Sequence, residues 1–234
     1  AWIDQPPTSH SATIHVSGDV PIRMEYYENG GGAMARLAWV RLGDGPSLPQ
    51  AETLVDDGDP EFDREGRYLE VQLGGISIVS LYLPSGSSSE ERQAAKYRCM
   101  ASFTRHMRKL RRRRAEYVIC GDWNIAHKKI DIKNWRSNQK NSGFLPEERA
   151  WMDKLFDEIG FVDAFRVVNQ QEHQYTWWSN RGQAWAKNVG WRIDYQVTTP
   201  GLRDAIRGAD IYKAERFSDH APLIIDYDLD LESF

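Results

Sequence analysis

The run Tyr117-Val118-Ile119-Cys120 is short and apolar, and it stops abruptly on Gly121-Asp122-Trp123-Asn124. A run of this length bounded by polar and Gly residues reads as a buried strand. A buried strand needs partners, and the strand and helix patterns on either side of it indicate a layered α/β or α+β domain. In open α/β sheets ligands bind beyond the carboxyl ends of strands, so Asp122 and Asn124, two residues apart, are placed to face one pocket. An Asx-type turn that merely closes the strand is the alternative reading of these residues.

The flanking patterns fill in the layers. Residues 67–73 alternate in the manner of a half-buried strand, Gly74-Gly75 turns the chain, and residues 76–83 form a fuller apolar strand, so a hairpin is expected. Ser88-x-x-Glu91 is a capping box, and Tyr97, Met100, Phe103, Met107 and Leu110 follow at helical spacing; a helix is predicted from residue 89 to about 112. A loop dense in Asn, Lys and Trp occupies residues 125–145. Pro146 opens a further helix with Trp151, Leu155, Phe156 and Ile159 inward and Gly160 as its stop. Residues 175–178, 191–198 and 223–227 read as strands. Turn signals crowd the first 60 residues, where only residues 33–42 have a strand pattern.

At 234 residues the chain suits one domain, residues 1–234, and 41% apolar with nine Trp provides ample core material. No apolar run approaches the roughly 18 residues of a membrane span, and the first 30 residues lack a basic-then-apolar signal pattern. Cys99 and Cys120 are expected to be buried reduced thiols, which fits a cytoplasmic protein. The net charge of -4 argues against non-specific attraction to polyanions, although a local basic face would suffice for a nucleic-acid enzyme. Arg105, Arg108, Lys109 and Arg111 to Arg114 are explained by the dipole at a helix C-terminus. A second basic group, Lys128, Lys129, Lys133, Arg136 and Lys140, follows the Asp122 motif directly.

Two further acidic segments stand out: Arg192-Ile193-Asp194-Tyr195 and Ser218-Asp219-His220-Ala221-Pro222. Three Asp, one Asn and one His near strand ends make a kit for a hard cation and proton transfer, because Mg²⁺ takes a few carboxylates together with water and phosphate oxygens. Singly each segment is weak, since an Asp-His pair is also a common surface turn.

With their flanks these segments resemble the exonuclease III branch of the endonuclease/exonuclease/phosphatase family. The resemblance rests on Glu61-Phe62-Asp63-Arg64-Glu65-Gly66-Arg67, Ser80-Leu81-Tyr82-Leu83-Pro84-Ser85-Gly86, Gly121-Asp122-Trp123-Asn124-Ile125-Ala126-His127, Asn138-Gln139-Lys140-Asn141-Ser142-Gly143-Phe144, Asn188-Val189-Gly190-Trp191-Arg192-Ile193-Asp194-Tyr195 and Ser218-Asp219-His220-Ala221-Pro222, in the family's order. It implies a four-layered α/β sandwich, two mixed sheets face to face with helices outside. It also implies Mg²⁺-dependent hydrolysis of DNA phosphodiesters, at abasic sites and at 3′ ends of duplex DNA, with Mn²⁺ as an alternative cation and the monomer as the acting unit.

By the same resemblance Asp122 activates water or protonates the leaving group, Asn124 stabilises the transition state, and Asp219 joins Asp122 and Asn124 in holding the metal. His220, oriented by Asp194, contacts the scissile phosphate, where Tyr82 also lies. Trp177, Trp191 and Ile193 match the family's apolar pocket for an extruded sugar, and flipping is cheapest where no base is stacked. Lys128, Asn134, Asn138, Lys140 and Asn141 match the loop that touches the DNA backbone; such contacts position a duplex without reading its sequence. Each Trp also has a reading as core packing, and Trp178 is assigned to the core.

The family's N-terminal Asn motif and its Gln-Glu motif, whose Glu is the principal metal ligand, have no counterpart; Gln171-Glu172 is the one Gln-Glu pair and falls in a late loop. The N-terminal family strands are therefore expected to be missing. A catalytically impaired DNA-binding remnant and a phosphatase of the same superfamily are the alternatives to a working nuclease.

Overall fold

Alternating burial organises the first hairpin. The computed structural model describes residues 66–229 apart from Gly74 and Phe217; the strand expected at residues 33–42, like the question of the first family strands, lies outside these. Strands β1 (Tyr68–Leu73) and β2 (Ile76–Tyr82) pair antiparallel, with Tyr68 opposite Leu81 and Leu73 opposite Ile76. The chain then crosses over through helix α1 (Glu90–Leu110) and returns as β3 (Glu116–Asp122), parallel to β2. A parallel return of this kind requires such a crossover.

Helix α1 begins one residue later than the capping-box pattern implies. Ser89, not Ser88, is the N-cap; its hydroxyl accepts the Arg92 N–H at 3.2 Å, and Glu90 and Glu91 fill the first turn. Two adjacent serines are equivalent in sequence, and only the extended backbone at Ser89 selects between them. The helix lays Cys99, Met100, Phe103, Met107 and Leu110 on one face of the sheet, against Val79, Leu81, Tyr117, Ile119, Tyr195 and Val197. Helix α2 is the short Trp135–Asn138 turn, and α3 (Pro146–Asp153) runs into a wider π turn at Lys154–Glu158. Gly160, at φ 86°, ends this stretch as its position predicts.

Strands β4 (Val162–Asp163) and β5 (Asp194–Thr198) complete a five-stranded mixed sheet in the order β1-β2-β3-β5-β4, and α4 (Ala164–Val168) follows β4 directly. The second sheet pairs β6 (Ile206–Ile211) with β7 (Leu223–Tyr227), antiparallel, and these are its strands among the described residues. Tyr227 joins Ile76, Val118 and Leu202 in a cluster on the sheet face opposite α1, and its hydroxyl donates to Gln196 at 3.1 Å. The architecture is an α/β sandwich, with helices on one sheet and the second sheet turned to its other face.

Two expected strands are shorter than their patterns. Residues 175–178 make only single bridges, Trp177 to Trp191 and Trp177 to His220, and the strand expected from residue 191 starts at Asp194. The cause is Arg192, which is wholly buried and turns away from the ladder into a pair of carboxylates, Asp131 at 2.8 Å and Asp163 at 2.7 Å. Its backbone N–H donates to the Asp131 carbonyl at 2.7 Å instead of to a strand.

Candidate active site

Register assembles the first three groups. Tyr82 pairs with Asp122, and Asp122 pairs with Asp194, so three neighbouring strands bring these residues to one level at one end of the sheet. Directly paired residues share a face, so all three side chains rise on the face away from α1. Gly121, at φ 143°, lets β3 close on β2 here; a Cβ on it would sit 1.8 Å from the Leu81 carbonyl oxygen.

Asn124 follows in the left-handed region at φ 51°, which Asn tolerates better than most residues. Its backbone N–H donates to Asp122 Oδ1 at 2.7 Å, and its side-chain amide donates to Asp122 Oδ2 at 3.0 Å and to the Leu83 carbonyl at 2.9 Å. The Asx-type turn is thus present, and it holds the carboxylate in the site.

The opposite wall comes from residues 218–221. Trp178 donates its backbone N–H to the Asp219 carbonyl, and Ala221 donates to the Thr176 carbonyl, which clips this loop to the segment carrying Trp177. His220 Nδ1 then lies 3.0 Å from Asp194 Oδ2 and 3.2 Å from Oδ1. Thr176, fully buried, accepts the backbone N–H groups of Ile193 and Asp194 at 3.1 Å each, which fixes the start of β5.

The electrostatics follow from burial and charge density. Burial and the neighbouring Asp194 charge raise the Asp122 carboxyl to about 7, against the opposing pull of His220, the Asn124 N–H and Lys96. Burial alone would push His220 down, but the Asp194 charge and hydrogen bond, helped by Asp122 and Asp219, lift it to about 10. The site therefore offers an imidazolium beside a carboxyl that titrates near neutrality, a suitable pairing for phosphate binding and proton transfer.

Among the described residues no three carboxylate, imidazole or thiolate groups converge as a metal cage. The donor chemistry nevertheless suits Mg²⁺, which is commonly held by one or two carboxylates plus water and phosphate oxygens. Asp122 supplies carboxylate oxygens of this kind, and Asn124 turns its amide N–H toward them. Asp219 stands apart from them in its bonding, with Oδ2 accepting the Trp177 indole N–H at 3.1 Å and Oδ1 accepting the Ser218 hydroxyl at 3.3 Å.

The apolar pocket residues come together. Trp177 and Trp191 meet edge to face at 6.2 Å, and Ile193 packs with Ala126, Ile132 and Phe144 in the same cluster. Trp178 is core, 1% exposed, with its indole N–H on Asn188. The loop candidates behave less uniformly. Lys140 is exposed, whereas Lys128 pairs with Asp153, and Asn141 donates to Asn138, which donates to the Asn134 carbonyl at 2.8 Å. The three Asn residues build the loop as well as lining it.

Sequence reasoning missed Lys96, Glu148 and Thr176, all fully buried. Lys96 stands four residues before Met100 and seven before Phe103, on the apolar stripe of α1. A cation on an inward stripe is the signal that points to it. Glu148 and Thr176 carry no comparable signal.

The sequence profile of the endonuclease/exonuclease/phosphatase family matches residues 25–220. An exodeoxyribonuclease of Bacillus subtilis is 35% identical over 167 residues, 71% of this chain and 66% of that protein. The DNA repair nuclease APEX1 of Danio rerio is 36% identical over 169 residues, 72% of this chain and 54% of its own length. The chain thus spans between about half and two thirds of these relatives. Among solved structures, a 3′-5′ exonuclease from Neisseria meningitidis superposes with a TM-score of 0.67 at 26% identity, over 74% of this chain and 70% of that one. An AP endonuclease from Archaeoglobus fulgidus gives 0.65 at 27% identity, over 70% and 66%.

Proposed function

The chain belongs to the endonuclease/exonuclease/phosphatase family, and on that premise we propose that it is a DNA-repair nuclease that hydrolyses phosphodiesters at abasic sites and at 3′ ends of duplex DNA. The observation that carries this reading is the Trp177 indole N–H on Asp219. It links the apolar contact of Trp177 with Trp191 to the acid and imidazole cluster beside it. An apolar surface of this kind suits an extruded sugar without a base, and in this reading the adjoining phosphate is met by Tyr82, Asp122, Asn124 and His220.

Hydrolysis there proceeds by attack of water on phosphorus with breakage of the bond to the 3′ oxygen. Asp122 takes the proton of that water or returns one to the leaving oxygen, a role matched to its raised carboxyl. Tyr82 donates to the phosphoryl oxygens as charge builds on them, while Asn124, whose amide N–H groups are given to Asp122 and Leu83, serves the transition state by holding the Asp122 carboxylate in place. His220, held charged by Asp194, neutralises the same oxygens. Mg²⁺, or Mn²⁺ in its place, would be held by Asp122 and Asn124 with Asp219 and would supply charge neutralisation at the phosphate. Lys128, Lys140 and the Asn134, Asn138 and Asn141 loop lie along the sequence beside this centre and suit backbone contacts with the duplex. The free thiols Cys99 and Cys120 accord with a cytoplasmic protein.

The test is nicking of an end-labelled abasic duplex by the full chain in Mg²⁺, with Asp122→Ala as the control. Cleavage should fall on the order of 10²- to 10⁴-fold in the variant. A chain that binds the abasic duplex and leaves it uncut at every Mg²⁺ concentration would overturn the nuclease reading in favour of a DNA-binding remnant.

A further inference from the structure

Beneath the site, on the α1 side of the sheet, lies a charged pair that none of the roles above employs. Lys96 and Glu148 are both fully buried, and the ammonium is 2.7 Å from Glu148 Oε1. The same ammonium donates to the backbone carbonyl of Asn124 at 2.8 Å. Glu148 Oε2, in turn, accepts the backbone N–H groups of Gly143 at 2.7 Å and Leu145 at 3.0 Å. One ion pair therefore grips two separate segments, the turn after β3 and the loop that precedes α3.

Those segments press on each other and on the pocket. Gly143 has φ 91°, and a Cβ built on it would be 3.1 Å from the Asn124 carbonyl oxygen and 3.1 Å from the Trp191 ring. Ala126 donates its backbone N–H to the Gly143 carbonyl at 2.8 Å, closing the contact from the other side. A shift of either segment by a fraction of an ångström would thus move Asn124 and the Trp191 wall together. Asn124 is also the residue in this turn with a left-handed backbone, so its geometry depends on what holds its carbonyl.

We infer that Lys96 and Glu148 are positioning residues for the reaction, a buried clamp that sets Asn124 against the Gly143 and Trp191 wall of the sugar pocket. The inference rests on the nuclease reading of the site. A purely stabilising pair would be expected to be replaceable, since buried ion pairs often contribute little net stability over neutral substitutes. A positioning pair is not replaceable in this way, because small misplacements of reacting groups cost rate far out of proportion to stability.

The experiment compares kcat, KM and thermal midpoint for nicking of an abasic duplex by wild type, Lys96→Met, Glu148→Gln and the double variant Lys96→Met/Glu148→Gln. In the double variant no charge is left buried alone, and the glutamine oxygen still accepts the Gly143 or Leu145 N–H. The expected result is a folded double variant with kcat lowered about 10- to 100-fold and KM within about twofold of wild type. A folded double variant with the wild-type kcat, or losses of kcat that merely track loss of thermal midpoint across the four proteins, would overturn the clamp. A wild-type chain that leaves the duplex uncut would instead overturn the nuclease reading on which the role depends.

Discussion

At the scale of single residues, Gly121 is the tightest point of the site. Its φ of 143° is open to glycine alone among the ordinary residues, and a methyl group there would lie 1.8 Å from the Leu81 carbonyl oxygen. Backbone cannot yield as a side-chain tip can, so the conflict would be transmitted to the pairing of β2 with β3. Gly121→Ala should cost more than about 4 kcal/mol of stability, seen as loss of the cooperative thermal transition. A normal transition in that variant would show that β3 can retreat from β2 without cost. Asn124 illustrates the converse case, a non-glycine residue with φ 51° that is kept there by four hydrogen bonds to its backbone and side chain.

At the scale of elements, the buried arginine decides how the pocket wall is held. Arg192 spans Asp131 and Asp163, and Arg166 joins Asp131 at 2.6 Å, so one carboxylate anchors the turn Lys129–Asp131 to the segment that bears Trp191 and Ile193. Burial by itself would raise the Asp131 carboxyl, but the two guanidinium groups overcome it and hold the group near 2. A folded pKa below the unfolded one contributes stability that is fully present above the unfolded value near 4 and is lost as pH falls toward 2. Asp131→Asn should therefore destabilise the chain by about 3–5 kcal/mol at neutral pH, because two cations are left short of a partner. The difference from wild type, measured by urea unfolding at pH 7 and at pH 3, should narrow at the lower pH. A gap that widens on acidification would contradict the assigned charge state.

The whole molecule bears a net charge of -4, so any hold on a polyanion has to be local. The two basic groups are set at opposite ends of the fold. Arg108, Lys109 and Arg112 cluster where α1 ends and before β3 begins, whereas Asp122 and the Lys140 loop lie where β3 finishes. Lys140→Ala should lower the slope of log K against log salt by about 1 for binding of a duplex, while Arg112→Ala leaves it unchanged. An equal loss of slope in both variants would place the duplex across the far end as well. Among the described residues no helix is long and apolar enough to cross a membrane.

What could be read without coordinates is what is local. The hairpin, α1, the β3 run and β7 declare themselves by alternation, helical spacing and short apolar runs, since burial on one face or two imposes a period on the chain. Asp122, Asn124, Asp194 and His220 were legible as polar residues at the ends of such runs. Tertiary structure decided the rest: the register that levels Tyr82 with Asp122 and Asp194, the early end of the strand pattern at Arg192, and the pairing of Lys96 with Glu148. These depend on partners far apart in the chain, and a buried charge reveals its purpose only once its counter-charge is in place. The physical reason is that desolvation makes such groups intolerable singly and useful in pairs, so their meaning lies in distances that no spacing along the sequence encodes.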